Sequence, residues 1–349
     1  MKKIRIGDRL LGESEPTFIV AEIGVNHNGS VNRARKLIDA AKSTGADAVK
    51  FQAYKTERIV TKYAEKAKYQ KETTDLKKSQ YDMLKKLELK DADFVELHRY
   101  AKKRSIIFLS SAFDEESVDL LAGLDVSAFK VPSGETTNFP LLRHIAEKKK
   151  PIILSTGLST LDEIGEAIRV MEEKGVEDIV LLHCVTSYPA KAEDVNLRVM
   201  DFLKRSFGCP VGFSDHTLGI SIPIAATALG AVLIEKHFTL DKKMSGPDHR
   251  ASLEPDEFKQ MVTAIRDVEK AMGDGIKRLT KGEEQIKKAA RRSVVARVKI
   301  QKGTVIRENM LDLKRPGTGL EPKDLSKILG KKAKKDILAD ELITLEKLL

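Results

Sequence analysis

Polar side chains interrupt a series of otherwise apolar runs in this 349-residue chain, and they cluster toward the end of each run. In order they are Glu22, Lys50 with Gln52, Ser110 with Ser111, Lys130 with Ser133, Ser155 with Thr156, His183 with Ser187, Ser214 with His216, and Glu235 with His237. Groups of this kind are costly to bury unless something binds them. Two lysines among serines and threonines form the composition expected where a phosphate and a carboxylate are held together. His216 and His237 close consecutive runs, with Asp215, Glu235 and Asp248 close by in sequence. Neighbouring strands lie about 4.8 Å apart, so the two imidazoles could grip one divalent cation. Two nitrogen ligands leave positions for water or substrate, which suits a Lewis acid of the Mn or Mg type better than a structural zinc. Blander readings stand beside these. Any single residue of the set could be a solvated strand end, each lysine could pair with Glu22 or Glu235, and Lys50 or Lys130 could instead be a Schiff-base nucleophile.

Elements must exist to hold these groups. Apolar, β-branched runs recur at 18–24, 48–54, 106–112, 128–134, 151–157, 178–184, 210–216 and 231–238. Amphipathic stretches lie between and after them at 31–44, 91–104, 115–123, 139–147, 161–173, 195–206, 219–229 and 256–272. Eight β-then-α units predict an α/β fold, a (β/α)8 TIM barrel. The rival, a doubly wound open sheet, needs fewer strands and a glycine fingerprint that residues 24–29 do not fit. In a TIM barrel the working groups sit at the carboxyl ends of the strands. Residues two apart on a strand share a face, so Lys50 with Gln52, Ser214 with His216 and Glu235 with His237 should each aim into the barrel mouth. Residues 55–79 are long, polar and charged, either a disordered insertion or a lid over that mouth. Residues 281–291 read as a charged linker helix, and strand-like pieces at 293–298, 305–306, 311–314 and 342–345 predict a small second domain. The expected division is a barrel over 1–280, a linker over 281–291 and a small domain over 292–349.

Charged residues make up 33% of the chain and hydrophobic ones 41%, which excludes collagen-like, low-complexity and largely disordered classes. No apolar stretch approaches the roughly 18 residues of a membrane span, and residues 1–12 show no apolar run behind their lysines. Membrane and secretory readings therefore fall. Cys184 and Cys209 are the only cysteines, too few for a disulfide framework, so a reducing cytoplasm is the expected home. The net charge of +10 is uneven. Residues 281–349 carry 18 Lys and Arg against 10 Asp and Glu, while the rest of the chain is nearly balanced. A basic module implies nucleic acid or an anionic small substrate, and without aromatic stacking platforms or a recognisable motif the nucleic-acid reading is set aside.

The segments AEIGVNHNGS (21–30), AVKFQAYK (48–55), FLSSAFD (108–114), FKVPSGE (129–135), ILSTGLS (153–159), LLHCVTSYPA (181–190), GFSDHTLG (212–219), EKHFTLDKKMSGPDH (235–249) and RPGTGL (315–320) resemble the sialic acid synthase family nearly end to end. Residues 64–89 resemble its N-acetylneuraminate and legionaminate branch more than its pseudaminate branch. The resemblance implies a TIM barrel followed by a small antifreeze-like (SAF) domain, and a domain-swapped homodimer. It implies condensation of phosphoenolpyruvate with an N-acetylated mannosamine-type sugar, assisted by a divalent cation on His216 and His237. Phosphoenolpyruvate contacts then fall on Lys50, Ser111, Lys130, Ser133, Ser155, Ser187 and Ser214, with Glu135 in support. Sugar contacts fall on Tyr188, Asp248 and Arg315, the last from the partner chain. Catalytic roles fall on Glu22, as the proton-transfer group, with Lys50 and Glu235. The leading expectation is an N-acetylneuraminate synthase using N-acetylmannosamine. The alternative is a legionaminate synthase using a 2,4-diacetamido-2,4,6-trideoxy sugar.

Overall fold

The computed structural model describes residues 2–349 and contains two compact units, Met1–Gly273 and Asp274–Leu349. The first unit opens with a short antiparallel hairpin, β1 (Ile4–Ile6) and β2 (Arg9–Leu11). Eight parallel strands follow: β3 (Phe18–Gly24), β4 (Ala48–Ala53), β5 (Ile107–Ala112), β6 (Phe129–Val131), β7 (Ile152–Ser155), β8 (Ile179–Cys184), β9 (Val211–Asp215) and β10 (Leu233–His237). They pair in chain order and close when β10 meets β3, which makes the barrel that the sequence predicts.

Side chains alternate along each strand, so the barrel has two apolar environments. Ile19, Ala21, Val49, Phe51, Phe129, Leu154 and Leu181 face outward and join the large core made with the surrounding helices. Phe18, Val20, Ala48, Leu109, Ala128, Ile153, Val180, Leu182 and Leu233 fill the barrel interior. Ile4, Ile6 and Leu11 of the hairpin belong to this inner cluster and plug the amino-terminal end of the barrel. The outer helices begin where the sequence offers caps. Ser30, Asp114, Asn138 and Thr160 each accept a hydrogen bond from the backbone N–H three residues on, a contribution of about 1 kcal/mol apiece.

One segment differs from expectation, and a second decides between two alternatives. The helix expected over 195–206 is split into Ala192–Val195 and Val199–Phe207, because Asn196 adopts a left-handed backbone, which asparagine tolerates. Residues 55–79 are structured: short helices at Thr56–Ile59 and Lys68–Thr73 lead into Gln80–Leu87. Met83 and Leu87 of that helix pack with Val25 and Tyr54 in an apolar cluster beside the carboxyl ends of β3 and β4. Within 55–79, Ile59 packs against this cluster and the Tyr69 ring stacks on Tyr188, so the segment is a packed cover and not a loose insertion.

In the second unit the helix Lys281–Ala290 precedes two antiparallel strands, β11 (Ser293–Ala296) and β12 (Leu311–Lys314). Isolated bridges link Val295 to Leu342, both within expected strand-like pieces, and Val305 to Lys332, the latter outside them. Val294, Ile300, Ile306, Ile328, Ile337 and Ile343 form its separate core. Among the described residues no helix is long and apolar enough to cross a membrane.

Candidate active site

Strand parity carries Glu22, Lys50, Ser111, Lys130, Ser155, Ser214, Glu235 and His237 to the inner face at the carboxyl end of the barrel, all buried. They line a cavity of about 280 Å³, together with Ser133, Tyr188, His216 and Asp248. Two buried ammonium groups organise it. Lys50 Nζ lies 2.7 Å from Glu22 Oε2 and donates to Ser111 Oγ at 3.0 Å. Lys130 Nζ donates to Ser155 Oγ at 2.7 Å. Glu235 Oε1 stands 3.8 Å from both ammoniums and accepts from Ser214 Oγ at 3.0 Å. Glu22 Oε1 accepts from Gln52 Nε2 at 3.0 Å. Gly24 packs against that last bond with φ +52°, and a Cβ there would lie 2.9 Å from Glu22 Oε1. Only glycine allows the chain to turn so close to the carboxylate.

The surroundings separate the two glutamates. Burial raises the Glu22 carboxyl to about 7, with Lys50 opposing the rise and Glu235 adding to it. Burial also acts on Glu235, but the fields of Lys130 and Lys50 outweigh it and hold this carboxyl below its ordinary value. Burial lowers Lys130, whereas for Lys50 burial is overcome by Glu22 and Glu235. A carboxyl that can take up and release a proton near neutral pH and one held ionised thus sit around the same lysine, the division of labour an acid–base site requires. Asp248 is raised to about 6 by burial, against the pull of Lys50.

The two imidazoles fit a cation. His216 Nδ1 lies 2.8 Å from the Val185 carbonyl oxygen, which assigns its proton to Nδ1 and leaves Nε2 a bare acceptor. His237 Nδ1 is buried without a hydrogen-bond partner, and the nearest carboxylate oxygen, Asp248 Oδ2, is 3.9 Å away. Burial lowers both imidazoles from their ordinary value and keeps them neutral, the ligating form. Their ring centroids are 5.6 Å apart. Among the described residues no third His, Cys, Asp or Glu completes a cluster with them. The Tyr188 ring covers His216 at 4.2 Å and stacks on Tyr69 of the cover at 5.1 Å.

Two sequence-predicted residues of the barrel unit are not brought to this cavity. Ser187 is exposed and donates to the Pro189 carbonyl, with Thr186 lining the wall in its place. Glu135 lies on a 3-10 turn and accepts from Asn138 Nδ2. Arg315 is exposed in the second unit, where its Nε donates to the Ala290 carbonyl at 3.0 Å. Conversely Gln52, Tyr69, Met83, Leu84 and Cys184 line the cavity without having been assigned a role from sequence. Gln52 had a usable signal, its parity with Lys50; the cover residues had none. A larger cavity, about 550 Å³, lies at the opposite end of the barrel between the hairpin and the strand starts. Its Asp47 is paired with Arg9 and Arg266 and accepts from the Ile19 N–H.

Buried ammoniums and carboxylates converging at the strand ends of a closed parallel barrel define the class, a (β/α)8 enzyme built for an anionic substrate. Comparison with known proteins makes this particular. Residues 37–277 match the model of the NeuB family and residues 291–349 that of the SAF domain, and the chain belongs to the NeuB family. Its relatives include legionaminic, N-acetylneuraminate-9-phosphate and pseudaminic acid synthases, and the chain is a sugar-acid synthase of this family. It is 52% identical to an N,N'-diacetyllegionaminic acid synthase of Campylobacter jejuni, over 94% of this chain and 98% of that one. It is 38% identical to the human N-acetylneuraminate-9-phosphate synthase, over 96% and 93% of the two chains. Among solved structures, a sialic acid synthetase of Leptospira borgpetersenii matches with a TM-score of 0.72 at 33% identity, covering 82% of this chain and 95% of that one.

Proposed function

We propose that this protein condenses phosphoenolpyruvate with a 2,4-diacetamido-2,4,6-trideoxymannose-type acceptor and water, giving the nine-carbon 2-keto acid and phosphate. The sequence ranks N-acetylmannosamine ahead of this acceptor. Two relatives reverse that order, since the legionaminic acid synthases of Campylobacter jejuni and Legionella pneumophila are 52% and 46% identical to this chain. The apolar side chains Val25, Met83, Leu84 and Phe113 around the cavity favour an acceptor with a methyl group where N-acetylmannosamine has a hydroxymethyl.

The observation that carries the chemistry is the alternating Glu22–Lys50–Glu235–Lys130 array inside the barrel. Lys50 and Lys130, with Ser111, Ser133 and Ser155, hold the phosphate and carboxylate of phosphoenolpyruvate and keep its C3 facing the acceptor aldehyde. Tyr188 and Asp248 orient the acceptor. His216 and His237 would hold a divalent cation of the Mn or Mg class, which would supply Lewis-acid polarisation of a carbonyl oxygen. The phosphoenolpyruvate double bond opens as C3 bonds to the aldehyde carbon, leaving an alkoxide there and an electron-poor C2. Water adds at C2 and gives one proton to Glu22, which passes it to the alkoxide; the C2–O bond then breaks, the C2 hydroxyl becomes the ketone, and its proton leaves with phosphate and the bridging oxygen. Glu235 stays ionised and balances the two lysines as the phosphate departs. Arg315 serves the acceptor's acetamido group from the partner chain of a domain-swapped dimer, so mixed dimers of Arg315→Ala and Glu22→Ala chains should regain activity that neither parent has. Parental rates in verified mixed dimers would remove this arm of the proposal.

Phosphate release from phosphoenolpyruvate tests the acceptor. The diacetamido sugar should give a kcat/KM at least about tenfold above N-acetylmannosamine, as expected when one hydroxyl must be buried in an apolar wall. Equal or better use of N-acetylmannosamine would restore the first reading.

A further inference from the structure

Behind the cover, a second cavity of about 390 Å³ adjoins the catalytic one, and Met83 and Pro247 wall both. Four cations line it, Arg33, Lys66, Lys78 and Lys86, against the single carboxylate of Asp75. Lys66 is 5% exposed. Its ammonium donates to Thr74 Oγ1 at 3.1 Å and to the Asp75 carbonyl, both neutral oxygens, which leaves one N–H unused. A buried ammonium without a counter-charge is costly. Arg33 presents a second cost. It sits in the first turn of the 13-residue helix Val31–Ser43, which has no acidic residue there to offset the positive end of the helix dipole. Its guanidinium is tied only to the His27 carbonyl at 3.2 Å. Lys78 and Lys86 are exposed over the same space and, among the described residues, form no ion pair. Asp75 does not balance the set, and its Oδ1 is already taken by the Lys77 N–H.

We infer that this cavity is an anion site for a phosphate-type dianion, separate from the catalytic phosphate position. One carboxylate among four cations leaves an excess that a dianion meets better than a monoanion. The shared wall points to one source for that dianion, the inorganic phosphate released by the reaction. Occupancy would join the cover, through Lys66, Lys78 and Lys86, to the first turn of the helix Val31–Ser43, through Arg33.

Equilibrium dialysis of the full-length protein against radiolabelled inorganic phosphate at low ionic strength tests the site itself, with no dependence on turnover. Lys50→Met, which disables the catalytic position, should still bind one phosphate. Adding Lys78→Gln and Lys86→Gln, both exposed and so harmless to folding, should weaken that binding at least tenfold. The same exposed pair changed in the otherwise wild-type chain should weaken one phosphate site likewise, which keeps the test valid if Lys50→Met does not fold. No binding by a folded Lys50→Met protein, or binding indifferent to the two exposed lysines, overturns the inference. Kinetics then test the source. Phosphate inhibition that is noncompetitive toward phosphoenolpyruvate should disappear in the Lys78→Gln/Lys86→Gln protein. If that inhibition persists, the inference fails.

Discussion

At the amino-terminal end of the barrel Phe18, Val20, Ala48, Leu109, Ala128, Ile153, Val180, Leu182 and Leu233 pack without one charged side chain among them. Two residues further along the same strands, about 7 Å by strand geometry, Glu22, Lys50, Lys130 and Glu235 are as deeply buried. Backbone, burial and neighbouring helices are shared, and only the chemistry of the inward side chains changes. The lower layer stabilises the fold by about 1.5–3 kcal/mol for each large side chain withdrawn from water. The upper layer brings no such gain, because desolvating charges offsets much of what their pairing returns. A protein that keeps four charges in a dry barrel, when apolar residues there would be as stable or more so, keeps them for binding and proton transfer.

Changes at the two ends should therefore break different things. The largest effect should come from the mouth. The His216→Ala/His237→Ala protein should stay folded, lose Mn binding measured by electron paramagnetic resonance, and lose about 10³-fold or more in kcat/KM, the scale of a lost Lewis acid. Retained activity after that change, or after exhaustive chelation of the wild type, would break the account of the mouth. At the other end Leu182→Ala should cost about 3 kcal/mol in urea unfolding, while the folded fraction turns over at the wild-type rate. A fall in kcat without a fall in stability would mean the two layers are not separable. Next in size, Glu22→Gln should lower kcat by about 10² with phosphoenolpyruvate affinity retained, and a near-normal rate would take proton transfer away from this residue.

The smallest effect concerns the loop between β3 and its helix. Burial holds the His27 imidazole down to about 4, with Arg33 and His249 adding to this and a bond to Gly24 opposing it. The unfolded chain takes up a proton near pH 6.5, while the folded chain resists until about 4. The contribution to stability is therefore complete above pH 6.5 and declines as pH falls from 6.5 toward 4, by at most about 1.4 kcal/mol per pH unit. Urea midpoints measured between pH 7 and 5 should fall less steeply in His27→Gln than in the wild type. Equal slopes would show that His27 is not the group responsible.

The contrast between the two ends also explains what the sequence could reveal. All eight barrel strands are legible because strands buried on both faces read as continuous apolar, β-branched runs, and inner-face groups such as Lys50, Ser214 and Glu235 follow from parity. The rule stops where the strand stops. β6 ends at Val131, and the 3-10 turn after it re-aims Ser133 into the cavity and Glu135 away. β8 ends at Cys184, and the turn that follows offers Thr186 and not Ser187. The hairpin plug escapes notice because its strands are three residues long, too short for a periodic signal, with Arg5 and Arg9 among the apolar side chains. The cover escapes in part because Met83 and Leu87 find their partners, Val25 and Tyr54, far away in the chain.

The central claim is that the charged layer promotes water attack at C2 and loss of phosphate by C–O cleavage. Turnover in ¹⁸O-enriched water tests it most directly, with the released inorganic phosphate analysed by mass spectrometry. The account predicts phosphate free of label, because the bridging oxygen of phosphoenolpyruvate leaves with phosphorus. Phosphate carrying one solvent-derived oxygen per turnover would place the attack at phosphorus and contradict it.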